Sequence, residues 1–420
     1  MSVAPVHASV LSFENARRAV EEHAANVHPS VVETVSLLDA DRRVLAEPIF
    51  ADRDIPPFPR STRDGYAVRS VDLSKVPAAL DVIGEIKAGV EEFNIPGALQ
   101  AGEAVSIMTG APVPAGADAV VMIEYTDRHG DRVEITKKVV PGENLVPRAA
   151  EAKKGGVLID RGVRLNEPGI ALAASVGKSQ LEVYRRPRLA VLTTGDEIVA
   201  IDATPGPTQI RNSNSYSLAA QIRRAGGEAV LLPIAPDESR ALKKLIQEGL
   251  AADLLIMTGG VSMGRYDLVE QVLSEMAAGF FFTGAKIQPG RPVVFGRCRA
   301  DAQSSEASGT YFFGLPGNPV STMVTFELFV RPMLEALAGQ SAQPLRFLHS
   351  RLKKEIRIKP GLTRFLPANL TGDFEKSEIE LVAWQGSGDI AAVARANCYA
   401  VIPPDREIMP AGDWIAVLMP

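Results

Sequence analysis

Two apolar runs constrain this chain more than any other feature: Leu189-Ala-Val-Leu-Thr-Thr-Gly-Asp-Glu197 and Asp253-Leu-Leu-Ile-Met-Thr-Gly-Gly-Val-Ser-Met-Gly264. Each is too short for a buried helix and breaks into a Thr-Gly turn, which reads as a short buried strand entering a polar loop. Around them the pattern alternates: strand 189–192, helix 215–225, strand 229–234, helix 238–250, strand 254–257 and helix 267–277. Strands follow at 292–295 and 311–314 around a polar hairpin loop, 299–308, and then a helix at 320–337. Such alternation predicts a parallel α/β sheet. Ligands bind beyond the carboxyl ends of the strands in such a sheet, so the edge carrying both Thr-Gly loops is the candidate active site.

The flanking sequence has different periods. A helix is expected from Ser12, its N-cap, to Ala25, and a second helical segment from Asp39 into Ala46. Prolines and an Asp-Gly pair between Asp52 and Gly65 forbid regular helix there. Short alternating segments at 80–86, 104–108, 119–123 and 132–135 predict a small β domain. A helix from Leu165 to Gly177, with Pro168 near its first turn, is expected to pack back on the N-terminal helices, which makes the β domain an insertion. Strands at 352–358, 363–369, 379–383, 398–402 and 413–418 predict a C-terminal β-barrel. The fold class is therefore multidomain α/β, and 420 residues allow two to four domains. The division expected is 1–50 with 145–185, 51–144, 186–338 and 339–420.

Charge and cysteine usage narrow the partners. The net charge is −5, without a polybasic arm or acidic tail, so nucleic acid and anionic membranes are not expected partners. Cys298 and Cys398 alone cannot build a disulfide framework or a cysteine-rich zinc site. No basic-then-apolar leader and no bilayer-length apolar run is present, so a cytoplasmic location is expected. None of the five histidines falls in the candidate stretches, which argues against a histidine-based triad or catalytic zinc.

Thr194-Gly195-Asp196-Glu197 offers backbone N–H groups to an anion beside two carboxylates, a pairing that makes sense with a divalent cation between them. Alone it fits a solvated strand-to-loop turn better. Thr258-Gly259-Gly260-Val-Ser262-Met-Gly264 fits a phosphate cradle better than a packing turn, although it is neither a Walker loop nor a dinucleotide fingerprint. Asp267 and Asp237 follow strands of the same sheet; Asp237 reads equally as a helix N-cap. Gln288-Pro-Gly-Arg291-Pro, with Lys286 nearby, is either surface charge or an oxyanion site built on a rigid turn. Gly314-Leu-Pro316-Gly-Asn-Pro319-Val-Ser321 is a further fixed turn at a strand end.

Seven stretches in one order resemble the molybdopterin molybdenumtransferase family, MoeA in bacteria and the E domain of gephyrin in animals. They are Asp64-Gly-Tyr-Ala, Met108-Thr-Gly-Ala-Pro-Val-Pro, Pro141-Gly-Glu-Asn, Thr194-Gly-Asp-Glu, Thr258-Gly-Gly-Val-Ser-Met-Gly with Asp267, Pro289-Gly-Arg-Pro and Leu315-Pro-Gly-Asn-Pro-Val-Ser. The resemblance spans nearly the whole chain. It implies an elongated homodimer of four-domain chains, the third domain doubly wound and similar to molybdopterin adenylyltransferases (MogA-like). It further implies insertion of molybdate into the dithiolene of adenylylated molybdopterin, with release of AMP and a requirement for Mg²⁺. An adenylyltransferase is then a candidate partner.

Carried over residue by residue, the catalytic positions are Asp64, Thr109, Glu151, Glu197, Asp237 and Asp267, with Glu197 and Asp267 on the metal. Thr194, Gly195, Asp196, Ser213, Asn214, Gly259, Gly260, Ser262, Gly264, Pro316 and Pro319 fall to the nucleotide and pterin. Arg291, Lys286 and Ser321 fall to molybdate.

The chain departs from the family at Thr62-Arg63, where Ala-Met is usual, and at Glu151, which stands in for an aspartate after lost arginines. Asn212 replaces a usual aspartate and Gln288 a frequent lysine. Three other readings remain open from sequence: adenylyl transfer, a scaffold or paralogue of reduced activity, and tungstate in place of molybdate.

Overall fold

A computed structural model describes residues 9–29, 31–91, 94–260, 268–299 and 309–420. Helix α1 (Phe13–Ala24) begins at Ser12, whose hydroxyl accepts the Asn15 N–H at 3.2 Å. The chain then runs extended through 32–50. No helix forms at 39–46: Leu37–Asp39 is one 3₁₀ turn, Arg42 has φ +58°, and Val44 and Leu45 bridge to Arg164 and Val183. Leu45 is fully buried, and pairing with a distant segment outweighs local helical spacing there.

A six-stranded sheet follows, made of β1 (Gly65–Val68), β2 (Ala78–Ile86), β3 (Glu103–Ile107), β4 (Ala119–Met122), β5 (Thr126–His129) and β6 (Arg132–Ile135). Their spatial order is β4-β1-β3-β2-β6-β5. Alternate residues point into two separate apolar clusters, Tyr66 and Val68 on one face and Ala67 on the other. Helix α2 (Glu167–Ser175) is capped by Asn166 and packs on Leu37, Leu45 and Ile49. It does not pack on α1, which lies elsewhere.

From Arg188 the expected alternation is present: β7 (Arg188–Thr193), α3 (Asn214–Ala225), β8 (Glu228–Leu231), α4 (Ser239–Gly249), β9 (Leu254–Thr258) and α5 (Leu268–Glu275). Strands β10 (Gly279–Phe282), β11 (Ile287–Gln288), β12 (Val294–Arg299) and β13 (Gly309–Leu315) follow. The sheet order is β8-β7-β9-β13-β12-β10, with the first four parallel and β12 and β10 antiparallel. Leu189, Val191, Leu254 and Ile256 are fully buried, each worth roughly 1.5–3 kcal/mol of burial.

The predicted helix 320–337 is three pieces: α6 (Pro319–Thr325), a π turn at Phe326–Val330 and α7 (Arg331–Leu337). Pro332 has no N–H to give the helix ladder, and the wider turn before it accommodates that loss.

The terminal strands β14 (Leu348–Leu352), β15 (Thr363–Gly372), β16 (Ser377–Leu381), β17 (Cys398–Ile402) and β18 (Trp414–Leu418) pair in a cycle, β15-β16-β14-β18-β17-β15. This closes a five-stranded barrel. β11 of the preceding domain pairs in parallel with β15, placing Gln288 opposite Arg364. A single apolar cluster joins Ala16 and Val20 of α1, the central sheet, and Phe365, Tyr399 and Leu418 of the barrel. No helix among the described residues is long and apolar enough to cross a membrane.

Candidate functional site

Register brings the central loops level. Thr193 lies opposite Thr258, and Thr258 opposite Leu315, so the stretches beginning at Thr194, Gly259 and Pro316 leave one edge of the sheet together. The chain passes from β7 to β8 on one side and then to β9 on the other, so the Thr194 and Gly259 loops flank the point where strand order reverses. Gly259 is needed there: its φ is +87°, and a Cβ would stand 2.3 Å from the Thr194 carbonyl oxygen.

The polar atoms at this edge are only partly used. Thr258 Oγ1 donates to the Pro316 carbonyl at 3.1 Å, and Asn214 donates to Thr258 Oγ1 at 3.0 Å and to the Gly317 carbonyl at 2.7 Å. The buried Asn214 Oδ1 and Thr194 Oγ1 have no hydrogen-bond partner among the described residues. Buried polar atoms without partners are costly, so a pair beside a glycine loop marks a place built for a ligand. Ser213 is exposed at the start of α3, with no capping bond from its side chain. Asn212, the replacement for an aspartate, accepts the Ser215 N–H at 3.1 Å and donates to Ser215 Oγ at 2.9 Å. Its role is to fasten the start of α3.

The acids cluster as expected, with one correction. Thr194 bridges to Ala235, and the Asp237 N–H donates to Asp196 Oδ1 at 3.1 Å. Asp237 is not the cap of α4; Glu238 is, accepting from the Arg240 and Ala241 N–H groups at 2.9 Å. Asp237 is thereby free for another use. Partial burial, then the neighbouring Asp196 and Glu197, hold its carboxyl above the ordinary range. The Glu197 carboxylate folds over Gly195, where an added Cβ would come within 2.5 Å of Oε2. None of these three acids has a lysine or arginine partner among the described residues.

An oxygen-only set short of positive charge suits a hard divalent cation. Among the described residues no three carboxylates, histidines or cysteines stand close enough to enclose a metal alone. Glu197 and Asp237 could supply one or two ligands, with bound phosphate and water completing the shell, the usual manner for Mg²⁺. Ser262, Gly264 and Asp267 lie outside the described residues.

A second cluster forms at one end of the inserted sheet. Asp64 Oδ1 accepts the Thr109 N–H at 2.6 Å and the Thr109 hydroxyl at 2.8 Å, and these bonds hold its carboxyl below the ordinary range. Arg63 is not among the causes. The Gly110 N–H donates to the Ser61 carbonyl, the Thr62 N–H to the Asn144 carbonyl, and Leu145 pairs with Ser61. The Asp64, Met108 and Pro141 stretches therefore form one surface. Glu151 pairs with Arg60 at 2.9 Å on its border. Among the described residues no hydrogen bond or ion pair joins this surface to the central edge.

A cavity of about 320 Å³ opens between the central domain and the barrel. Gln288, Arg291, Pro316, Asn318 and Ser321 line it on one side, and Leu362, Trp384 and Ser387 on the other. Lys286 is exposed and is not part of the lining. The barrel residues carry no local signal that connects them with this cavity; the β11–β15 pairing and the bonds from Asn318 and Val320 to Ser387 make the connection.

Comparison with known proteins agrees with this layout. Residues 11–177 match the MoeA N-terminal region (domain I and II), 190–336 a probable molybdopterin binding domain, and 349–419 the MoeA C-terminal region (domain IV). The molybdopterin molybdenumtransferase of Nostoc sp. is 35% identical over 407 residues, covering 92% of this chain and 88% of the relative. That of Haemophilus influenzae is 32% identical over 418 residues, covering 97% and 98%. The crystal structure of the molybdopterin biosynthesis MoeA protein from Pyrococcus horikosii superposes with a TM-score of 0.69 at 32% identity, covering 98% of this chain and 99% of that one.

Proposed function

The chain belongs to the molybdopterin molybdenumtransferase (MoeA) family, transferases of molybdenum cofactor biosynthesis, and on that premise we propose that it inserts molybdate into the dithiolene of adenylylated molybdopterin and releases AMP. The observation that carries this reading is the central edge. Two unpartnered buried polar atoms, a glycine loop and three uncompensated carboxylates meet where the parallel strand order reverses.

In this reading Thr194, Asn214 and the backbone at Gly259 and Gly260 bind the AMP phosphate side. Glu197 and Asp237, with Asp267, would hold Mg²⁺, which would supply positive charge against the phosphoanhydride. The carboxylates at 196, 197 and 237 face that anhydride and keep it intact until the cation and oxyanion are in place. Water then attacks phosphorus and cleaves the anhydride P–O bond, AMP and molybdopterin each keeping one phosphate, and the two dithiolene S–H groups pass their protons to one molybdate oxygen, which leaves as water as the two Mo–S bonds form. Asp64, held ionised by Thr109, serves as the base or orienting group for that water. Arg291 and Ser321 bind molybdate, with Lys286 an outer cation. No protein nucleophile takes part. Because no hydrogen bond or ion pair among the described residues ties Asp64 and Thr109 to the central edge of their own chain, the reading has a homodimer supply them from the second copy.

The test is purified protein with adenylylated molybdopterin and Mg²⁺, following AMP release with and without molybdate. Release that depends on molybdate is the expected result, and its absence from a folded protein sinks the proposal. Tungstate in the same assay decides the preferred metal. Asp267→Asn is expected to lose Mg²⁺-dependent nucleotide binding while the protein keeps its oligomeric mass; retained binding removes Asp267 from the cation site.

A further inference from the structure

At the edge of the cavity between the central domain and the barrel, Gln288 of the lining is paired with Arg364 behind it, and the functional reading leaves the pair unused. Arg364 is only 6% exposed, and its Nε donates to Gln288 Oε1 at 2.6 Å while Nη1 donates to the Leu362 carbonyl at 3.3 Å. The backbone fixes this meeting, since Gln288 and Arg364 are register partners in the β11–β15 pair. A guanidinium has donors only, so the amide oxygen of Gln288 must face it. The Gln288 NH₂ is then left for the cavity, which Gln288 lines.

The rest of the lining has a matching character. Ser387 Oγ accepts the Asn318 amide N–H at 2.9 Å, which leaves its own hydrogen to give. Arg291 and the Trp384 indole are donors, and Ser321 carries a hydroxyl. Among the described residues no aspartate, glutamate or histidine lines the cavity. The acceptors that remain are neutral.

We propose that Arg364 sets Gln288 as a neutral hydrogen-bond donor, and that this donor-rich, carboxylate-free cavity selects oxyanions carrying no proton over oxyanions that carry one. The inference rests on reading this cavity as the oxyanion site. Molybdate, tungstate and sulfate are bare dianions at neutral pH and present acceptors on every side. Hydrogen phosphate brings an O–H that needs an acceptor, and a site that leaves a polar group unpaired rejects its ligand strongly. The lysine common in the family at the place of Gln288 would supply charge; the Gln288–Arg364 pair supplies a fixed direction.

Equilibrium binding of molybdate, sulfate and inorganic phosphate to the full chain at neutral pH tests this. Phosphate is expected to bind at least ~10-fold more weakly than molybdate, a gap of about 1.4 kcal/mol. Gln288→Glu, which introduces a charged acceptor, should weaken molybdate by ~10-fold or more and close the gap to phosphate. Arg364→Met should close it as well by releasing the amide to turn. Thermal melting of both variants checks their folding, and Gln288→Glu, at an exposed position, keeps the test available where Arg364→Met does not fold. Phosphate binding as tight as molybdate, or a ratio unchanged in Gln288→Glu, overturns the inference. AMP release run alongside separates the two readings. Selectivity without molybdate-dependent release overturns the proposed reaction alone, and release that phosphate inhibits as well as sulfate does overturns the selectivity alone.

Discussion

At the scale of single residues, Asp64 and Asp237 are biased in opposite directions, and pH separates them. Asp64 is depressed chiefly by the Thr109 N–H and then by the Thr109 hydroxyl. The stabilisation this gives is present above the unfolded carboxyl value and is lost as pH falls through the lower folded one. Thr109→Val removes the hydroxyl but keeps the N–H, so the acid limb of the AMP-release profile should move part of the way towards an ordinary carboxylate. An unmoved limb would mean that Asp64 does not titrate in the reaction. Asp237 is raised, first by burial and then by Asp196 and Glu197. Its charge therefore costs stability at neutral pH, a cost that disappears as pH falls below the raised value. Asp237→Asn should leave the melting temperature of the free protein unchanged or slightly higher, since exposed substitutions act within ~0.5 kcal/mol. The same variant should lose Mg²⁺-dependent nucleotide binding. A clear fall in melting temperature would show that Asp237 is a structural acid.

At the scale of elements, the parallel sheet was legible because Leu189–Leu192 and Leu254–Met257 are apolar throughout, as strands covered on both faces must be. The Asp64–Thr109 contact was legible only as two separate stretches, because the two residues stand 45 positions apart and nothing local sets their distance. Segment 39–46 and the Asp237 cap misled for one reason: helical spacing and a capping residue are local signals, and tertiary pairing at Val44 and the neighbouring Glu238 decided otherwise. Arg364 was illegible altogether, since a lone arginine in a strand reads as an outward-facing charge.

The loops make their own demand. Gly259→Ala would place a methyl against the Thr194 carbonyl at a left-handed φ, which should cost ~1–3 kcal/mol and show as a lower melting temperature with weakened AMP binding. An unaffected melt would mean that the two loops separate freely. Glu327 is a further joint: it lies in the π turn, is 3% exposed, and accepts from Gln221 at 2.8 Å and from Arg331 at 3.2 Å, besides pairing with Arg224. Removing it returns the half-exposed Arg224 and Arg331 to solvent and takes one of two acceptors from the buried Gln221 amide, and Glu327→Ala should destabilise the protein by about 1–3 kcal/mol as measured by denaturant unfolding. A loss under ~1 kcal/mol would show that water replaces the carboxylate.

At the scale of the whole molecule, the proposed reaction needs two surfaces that no hydrogen bond or ion pair joins among the described residues of one chain. Asp64→Asn and Asp237→Asn are each expected to be inactive alone. Mixed dimers assembled by refolding the two together should recover activity, because one of their two sites unites an intact Asp64 with an intact Asp237. Mixed dimers that stay inactive would place Asp64 and Asp237 in the same chain's site. Sedimentation of the native protein at twice the chain mass is the simpler expectation that comes first.

The β11–β15 pair gives the barrel a significance that its closed strand cycle conceals. Leu362, Trp384 and Ser387 of the barrel line one side of the proposed oxyanion cavity, and Gln288 takes its direction from Arg364 of Thr363–Gly372. The barrel is therefore not an exchangeable appendage. A chimaera that keeps residues 1–338 and borrows its barrel from a relative with no arginine in the place of Arg364 will inherit a different choice of oxyanion, with every residue of the central sheet unchanged.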